Sequence, residues 1–116
     1  MTTAISWLKA RAAEVRSIEN KALAALEDGN SQAYREAMRH KAQVLAALPV
    51  DAADCLAALP PDKRELVMKR LLRFAGGASN ALSLDSVFYM SALLYPEDYR
   101  EGQPNDLEAF IASIDD

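Results

Sequence analysis

The stretches Leu45-Ala-Ala-Leu-Pro49-Val-Asp51 and Leu56-Ala-Ala-Leu-Pro60-Pro-Asp62 decide how this chain divides into structural elements. In each, a run of helix-forming residues meets a proline. Proline lacks the backbone N–H that continues a helix and disfavours the helical conformation in the residue before it. The aspartate that follows can cap a new helix or stabilise its positive end. The sequence therefore predicts helix ends at Pro49 and Pro60, and an all-α fold interrupted at identifiable positions.

Composition is consistent with that prediction. The chain has 116 residues, of which 51% are hydrophobic and 26% charged, as in a soluble globular protein. Alanine, the best helix former, is the most common residue, whereas the β-branched residues that favour strands are scarce. We expect a single domain over residues 1–116. The lone Cys55, the lack of a leader-like segment and the lack of an apolar run that could cross a bilayer predict a cytoplasmic protein without membrane contact.

Residues 1–48 are predicted to form a long antiparallel helical hairpin. Thr2 or Thr3 can cap a first helix that runs to about Asp28, with an apolar stripe that includes Leu8, Val15 and Ala22. Gly29 can adopt the left-handed conformation that ends a helix, and Asn30 or Ser31 can cap the next. The second helix spans about Gln32 to Leu48. One side of it carries Tyr34, Met38, Lys41, Leu45 and Leu48.

Residues 49–116 are predicted to form three to four shorter helices that cover this hairpin in a compact bundle. The predicted segments are Asp51–Leu59, a helix from Pro60 to Phe74 stopped by Gly76-Gly77, a helix over about Leu84–Leu94 opened by Ser79 or Ser83, and a last helix opened by a capping box at Asn105-Asp-Leu-Glu108. Pro96–Glu101 could add one further turn. Residues 87–94 are apolar on almost all sides, which predicts that they occupy the centre of the bundle.

Two residues carry side chains that could take part in reactive chemistry, His40 and Cys55. His40 is the only histidine, so it cannot form a pair of histidine metal ligands, and we expect it at the surface of the second helix. Cys55 follows Asp54, whose charge raises a thiol pKa, so we expect it to pack as a small apolar residue. The sequence thus predicts no catalytic residue, no cofactor and no metal, and we expect the protein not to be an enzyme.

The candidate interaction residues are Lys69, Arg70 and Arg73, which make one predicted helix strongly basic, and Tyr89, Tyr95 and Tyr99 in the aromatic C-terminal half. Whether those aromatic residues form core or a groove for a partner helix is left open.

Charge is divided unevenly along the chain. Residues 1–95 carry 12 basic and 10 acidic side chains, whereas residues 96–116 carry one basic and seven acidic. The acidic end could pair with the basic body or with a basic partner. We expect it instead to be solvated, as charge runs normally are.

Two short stretches resemble known helical units. Residues 56–71 resemble the Leu-Pro-acid units of flagellar motor switch proteins and magnesium-transporter N-domains, and residues 29–37 are similar to a tetratricopeptide hairpin. Both resemblances imply protein–protein scaffolding, and neither assigns the chain to a family.

The sequence therefore favours a non-enzymatic protein–protein interaction module, such as a small adaptor, chaperone or regulatory subunit. A protein partner is expected, and a homodimer through the alanine-rich first helix is left open. One alternative is a nucleic-acid-associated regulator that uses the basic residues of residues 32–48 and 60–74. An isoelectric point near 5.0 argues against it. The other alternative is a helical bundle that binds a small ligand near Tyr89–Tyr99.

Overall fold

The computed structural model describes residues 3–115, and all regular structure in that range is helical. The helices are α1 (Ala4–Glu27), α2 (Ser31–Leu56), α3 (Pro61–Ser83), α4 (Val87–Ala92) and α5 (Asp106–Ile114). Helix α2 packs against both α1 and α3, α5 packs on α1, and α4 contacts α2 and α3. One continuous cluster of buried residues includes side chains from all five helices. The predicted all-α bundle is confirmed.

The boundaries of α1 follow the local sequence signals. The Thr3 side chain accepts a hydrogen bond from the Ser6 N–H, which satisfies one of the free donors at the start of the helix. Gly29 has φ of 75°, and the Asn30 side chain accepts from the Ala33 N–H to start α2. The predicted caps at these three residues are therefore confirmed. The alternative cap, Thr2, lies outside the described residues.

The predicted break at Pro49 is wrong, because α2 continues through Pro49 to Leu56. A proline inside a helix costs about 3 kcal/mol. That cost is offset by an apolar face that continues across the proline, on which Leu45, Leu48 and Leu56 are at most 1% exposed. Full burial of one leucine side chain contributes about 1.5–3 kcal/mol. There is consequently no separate helix over residues 51–59. The break at Pro60 is confirmed, since α3 begins at Pro61.

The predicted stop at Gly76-Gly77 is also wrong, because α3 runs on to Ser83. A glycine inside a helix costs only about 1 kcal/mol relative to alanine. Beyond the two glycines, Ala78 and Ala81 are buried on the same side of the helix as Leu71. The burial of this face outweighs the weak helical preference of the glycine pair.

Residues 87–94 do not form the centre of the bundle. Helix α4 has only six residues, it is capped by Ser86 rather than by Ser79 or Ser83, and of its residues only Met90 is buried. Phe88 is 74% exposed. The central position belongs instead to α2, which is long enough to contact two other long helices.

Residues 96–101 do not form the further turn of helix that their sequence could add. They contain a hydrogen-bonded turn, in which the Tyr99 N–H donates to the Pro96 carbonyl at 2.9 Å. The capping box of α5 is confirmed, with both reciprocal bonds between Asn105 and Glu108 present. Its inward residues Leu107, Ile111 and Ile114 are buried, and Phe110 is half-buried. Among the described helices, none has the length and apolar character needed to cross a membrane.

Candidate interaction surface

The three basic candidate residues lie together on the outer side of α3. Lys69 and Arg73 are exposed, and Arg70 is half-buried with its guanidinium 5.1 Å from the Phe74 ring centroid and 5.7 Å from that of Phe110. With Leu66 and Phe110 they line a shallow depression of about 240 Å³. We call this depression the Arg70 patch.

A larger depression lies between the last turns of α2 and the first half of α3. It has a volume of about 720 Å³, and we call it the α2–α3 groove. Its apolar lining consists of Ala53, Leu56, Pro61, Met68 and Leu72. Its charged lining consists of Arg64, Glu65 and Lys69.

The groove depends on the helix continuation at Pro49. Ala53 and Leu56 belong to the part of α2 that follows the proline, and they form one wall of the groove. All three charged residues belong to α3, and so do Pro61, Met68 and Leu72. The α2 wall of the groove is therefore apolar, whereas the α3 wall combines apolar residues with two cations and one carboxylate. Leu72 is 56% exposed, which leaves a large apolar side chain accessible to a partner.

Tyr89 lies apart from these basic residues. It is half-exposed on α4, and its ring contacts that of Phe88 edge-to-face with centroids 5.7 Å apart. It lines neither the α2–α3 groove nor the Arg70 patch. The six candidate residues therefore do not form one surface.

Tyr95 and Tyr99 belong to a third location, a polar cluster that joins α1, α2 and residues 91–108. Their rings lie 4.7 Å apart. The Tyr95 hydroxyl donates to Glu19 Oε1 at 2.7 Å, and the Tyr99 hydroxyl donates to the Gln103 carbonyl at 2.6 Å. Both hydroxyls are thus engaged within the chain, so the two side chains pack as half-buried parts of the fold.

Arg16 on α1 is the most connected member of this cluster. It binds Glu108 with two hydrogen bonds, from Nε at 3.0 Å and from Nη2 at 2.7 Å. It also donates to the Tyr95 hydroxyl at 3.2 Å and to the Gln103 carbonyl at 3.3 Å. The bond from Arg16 lowers the pKa of Glu108, and the Glu108 bond raises the pKa of Arg16.

Lys41 is the second cation of the cluster and is 0% exposed. Its Nζ lies 3.0 Å from Glu19 Oε2, donates to the Ser91 carbonyl at 3.2 Å and sits 5.0 Å from the Tyr95 ring centroid. Burial lowers the pKa of Lys41, and the Glu19 charge opposes that change. Burial, with the bond to Glu19, raises the pKa of Tyr95. The cluster thus compensates each buried charge locally.

The grouping of Arg16, Glu19 and Lys41 is not predicted from the sequence. A signal was present, because a lysine in the apolar face of α2 requires a buried partner. The identity of that partner could not be inferred, since Glu19 lies on another helix and Ser91 is 50 residues further along the chain.

The acidic end of the chain is more engaged than expected. Glu108 pairs with Arg16, and Asp115 lies 2.6 Å from Lys9. The expectation that this end is simply solvated is therefore wrong for two of its carboxylates. Both pairs attach α5 to α1.

The two residues considered for reactive chemistry occupy ordinary positions. His40 is exposed on α2, as expected. Cys55 is half-buried, its Sγ lies 3.2 Å from the Ala52 carbonyl, and burial raises the pKa of its thiol. Within residues 3–115, no three His, Cys, Asp or Glu side chains are grouped so that they could hold a metal ion.

Comparisons with known proteins give no match. No protein-family model matches the chain, and neither a curated protein nor a solved structure shows a significant similarity to it. The function must therefore be argued from the geometry of the surface.

Proposed function

We propose that this protein is a non-enzymatic protein–protein interaction module, a small cytoplasmic adaptor, chaperone or regulatory subunit, and that it binds its partner through the α2–α3 groove. The observation that carries the proposal is the groove itself. It offers about 720 Å³ of concave space with an apolar lining, and Leu72 stands 56% exposed within it. A groove with an apolar lining can accept the apolar face of a partner helix.

The proposal includes the antiparallel hairpin of α1 and α2 as the frame of the module. A connection of three residues, 28–30, joins the two helices. Glu19 of α1 lies 3.0 Å from Lys41 of α2, and the two residues are at similar distances in sequence from this connection. Such a contact on either side of a short connection supports an antiparallel pair. Such a pair would hold α2 rigid, and with it one wall of the groove.

The experiment compares two leucines of equal exposure. Leu72 lies in the groove and is 56% exposed, whereas Leu84 lies outside its lining and is 57% exposed. Wild type, Leu72→Asp and Leu84→Asp are immobilised, and proteins retained from an extract of the native cell are identified by mass spectrometry. We expect wild type and Leu84→Asp to retain the same proteins and Leu72→Asp to lose them. If Leu72→Asp retains the same proteins at the same level, the groove is not the binding surface.

A nucleic-acid-associated regulator is the second candidate, favoured by the exposed Lys69 and Arg73 on α3. The apolar residues Leu66 and Phe110 line the same depression and reduce the polar surface available for phosphate groups. Retention of the wild type on heparin, lost in a Lys69→Glu/Arg73→Glu variant, would support this candidate. Retention that does not depend on these cations would contradict it.

A further inference from the structure

The basic side chains of the molecule differ in how they are paired. All five salt bridges within residues 3–115 take their cation from α1 or α2: Lys9, Arg11, Arg16, Arg39 and Lys41. Helix α3 carries five further cations and only two carboxylates, Asp62 and Glu65, and no salt bridge in the described part of the chain involves any of them. The basic charge of α3 is therefore not neutralised by the fold.

Two of these cations, Arg64 and Lys69, line the α2–α3 groove together with one carboxylate, Glu65. The opposite wall, formed by Ala53 and Leu56 of α2, contributes no charged residue to the lining. A partner that fits must therefore present apolar residues to both walls of the groove and acidic residues beside Arg64 and Lys69.

From this arrangement we propose that the partner segment is an acidic amphipathic helix, an inference that rests on the proposed function. Its apolar stripe packs on Met68 and Leu72, and its carboxylates on one flank pair with Arg64 and Lys69. This is the helix-in-groove mode of recognition, in which residues spaced i, i+3, i+4 and i+7 provide the apolar contacts. Because the charged residues of the groove lie on α3 alone, they determine which flank of the partner helix carries the carboxylates. They also favour binding of an acidic helix over binding of a basic helix.

A folded second copy of this chain does not supply such a helix. Among the helices of residues 3–115, only α5 carries a net negative charge, and its first turn contains Asp106 and Glu108. Its apolar residues Leu107 and Ile111 are buried, and Glu108 is already bound to Arg16. The occupant is therefore a different protein.

The test uses fluorescein-labelled helical peptides of about 18 residues, long enough to form a helix on binding. The first has a leucine stripe with glutamate along one flank. The second has lysine in place of each glutamate, and the third keeps the glutamates but has glutamine in place of each leucine. Fluorescence anisotropy gives the Kd of each peptide for the full-length protein. We expect the glutamate peptide to bind at least about tenfold more tightly than either control, a difference of about 1.4 kcal/mol.

Charge reversal in the protein provides the matched variants. Arg64→Glu/Lys69→Glu should weaken binding of the glutamate peptide about tenfold or more and improve binding of the lysine peptide. Arg35→Glu, at an exposed cation of α2 outside the groove lining, should leave both affinities unchanged. Circular dichroism of each variant checks that the helical fold is retained.

Several results would overturn the inference. One is equal affinity for the glutamate and lysine peptides, and another is the absence of measurable binding of the glutamate peptide. A third is tighter binding of a DNA duplex that depends on Arg64 and Lys69 but not on Leu72, which would identify a nucleic-acid surface instead. If Leu72→Asp abolishes protein capture while the glutamate peptide fails to bind, the groove still binds proteins and only the acidic-helix assignment is wrong. If Leu72→Asp has no effect on capture, the proposed function fails as well.

Discussion

Replacing Glu19 with glutamine should destabilise the fold strongly, because Lys41 depends on this carboxylate. Lys41 is 0% exposed, and its Nζ lies 3.0 Å from Glu19 Oε2. Glu19 Oε1 also accepts from the Tyr95 hydroxyl. Glutamine keeps the shape of the side chain but removes the negative charge and turns one acceptor into a donor. The single carboxamide oxygen cannot serve both Lys41 and Tyr95, and the buried ammonium no longer has a negative charge beside it; the Ser91 carbonyl is its remaining unchanged acceptor.

The expected loss follows from the cost of leaving a buried charge uncompensated. Removing one partner of a buried ion pair costs about 3–5 kcal/mol. We take the lower end, about 3 kcal/mol, because the Glu19 side chain is 15% exposed and water can partly replace it. For a chain of this size, 3 kcal/mol corresponds to a Tm lower by about 12 °C.

The stability lost by the Glu19→Gln variant should also depend on pH. The pKa of Lys41 is lowered from its ordinary value of 10.5, so between the native pKa and 10.5 the unfolded state binds the proton more readily. Stability therefore rises with pH in that window. Without Glu19 the native pKa falls further, so the window widens and the variant recovers part of its stability as the pH becomes alkaline.

Urea unfolding followed by far-UV circular dichroism measures these differences. The control is Glu14→Gln on the same helix, because Glu14 lies 3.2 Å from Arg11 and both side chains are 36% exposed. Its effect should stay within about 0.5 kcal/mol. A Lys41→Met/Glu19→Gln double variant should lose less stability than the sum of its single changes, since the two residues are coupled. A Glu19→Gln effect no larger than that of Glu14→Gln would refute the reasoning.

Three further predictions concern stability. Arg16 lowers the pKa of Glu108 below its ordinary 4.5, so the wild type should lose stability as the pH falls through that range. The Glu108→Gln variant should be less stable at neutral pH but should lack this acid-dependent loss. Urea midpoints measured at neutral and acidic pH will show whether the stabilities of the two proteins become equal in acid. Gly76→Ala should raise stability by about 1 kcal/mol, because the site is inside α3 and a Cβ meets nothing within 4 Å, whereas Gly29→Ala, at φ of 75°, should lower it by about 1–2 kcal/mol. Thermal melts that shift in the same direction for the two glycine variants would contradict this assignment. Asn105→Ala should cost about 1–2 kcal/mol because it removes the capping box of α5, and an unchanged urea midpoint would show that the cap contributes nothing.

The sequence predicted those features of the fold that depend on neighbouring residues. The caps at Thr3, Asn30 and Asn105 use side chains three residues from their partners, and the turn at Gly29 depends on the backbone conformation of one residue, so the local pattern was sufficient. The effect of Pro49 on α2 could not be predicted by the same reasoning. That effect depends on how much apolar surface α2 buries against two other helices, and that is a property of the tertiary packing.

The candidate surface was only partly predictable. Lys69, Arg70 and Arg73 were recognised because basic residues concentrate on one amphipathic helix, and the structure places them together on α3. The α2–α3 groove was not predicted, because its α2 wall lies beyond Pro49 and was assigned to a separate helix. Tyr95 could not be distinguished from an exposed aromatic residue, since its partners Arg16 and Glu19 are 79 and 76 residues away in sequence.

The polar cluster also has a consequence for synthesis of the chain on the ribosome. Arg16 and Lys41 are synthesised before Ser91, Tyr95 and Glu108, which complete their polar contacts. During translation α1 and α2 can pair before Arg16 and Lys41 have all of their hydrogen-bond partners. The nascent pair of helices should therefore remain loosely packed. Cotranslational folding should therefore reach full cooperativity only when the segment that contains Glu108 has left the exit tunnel.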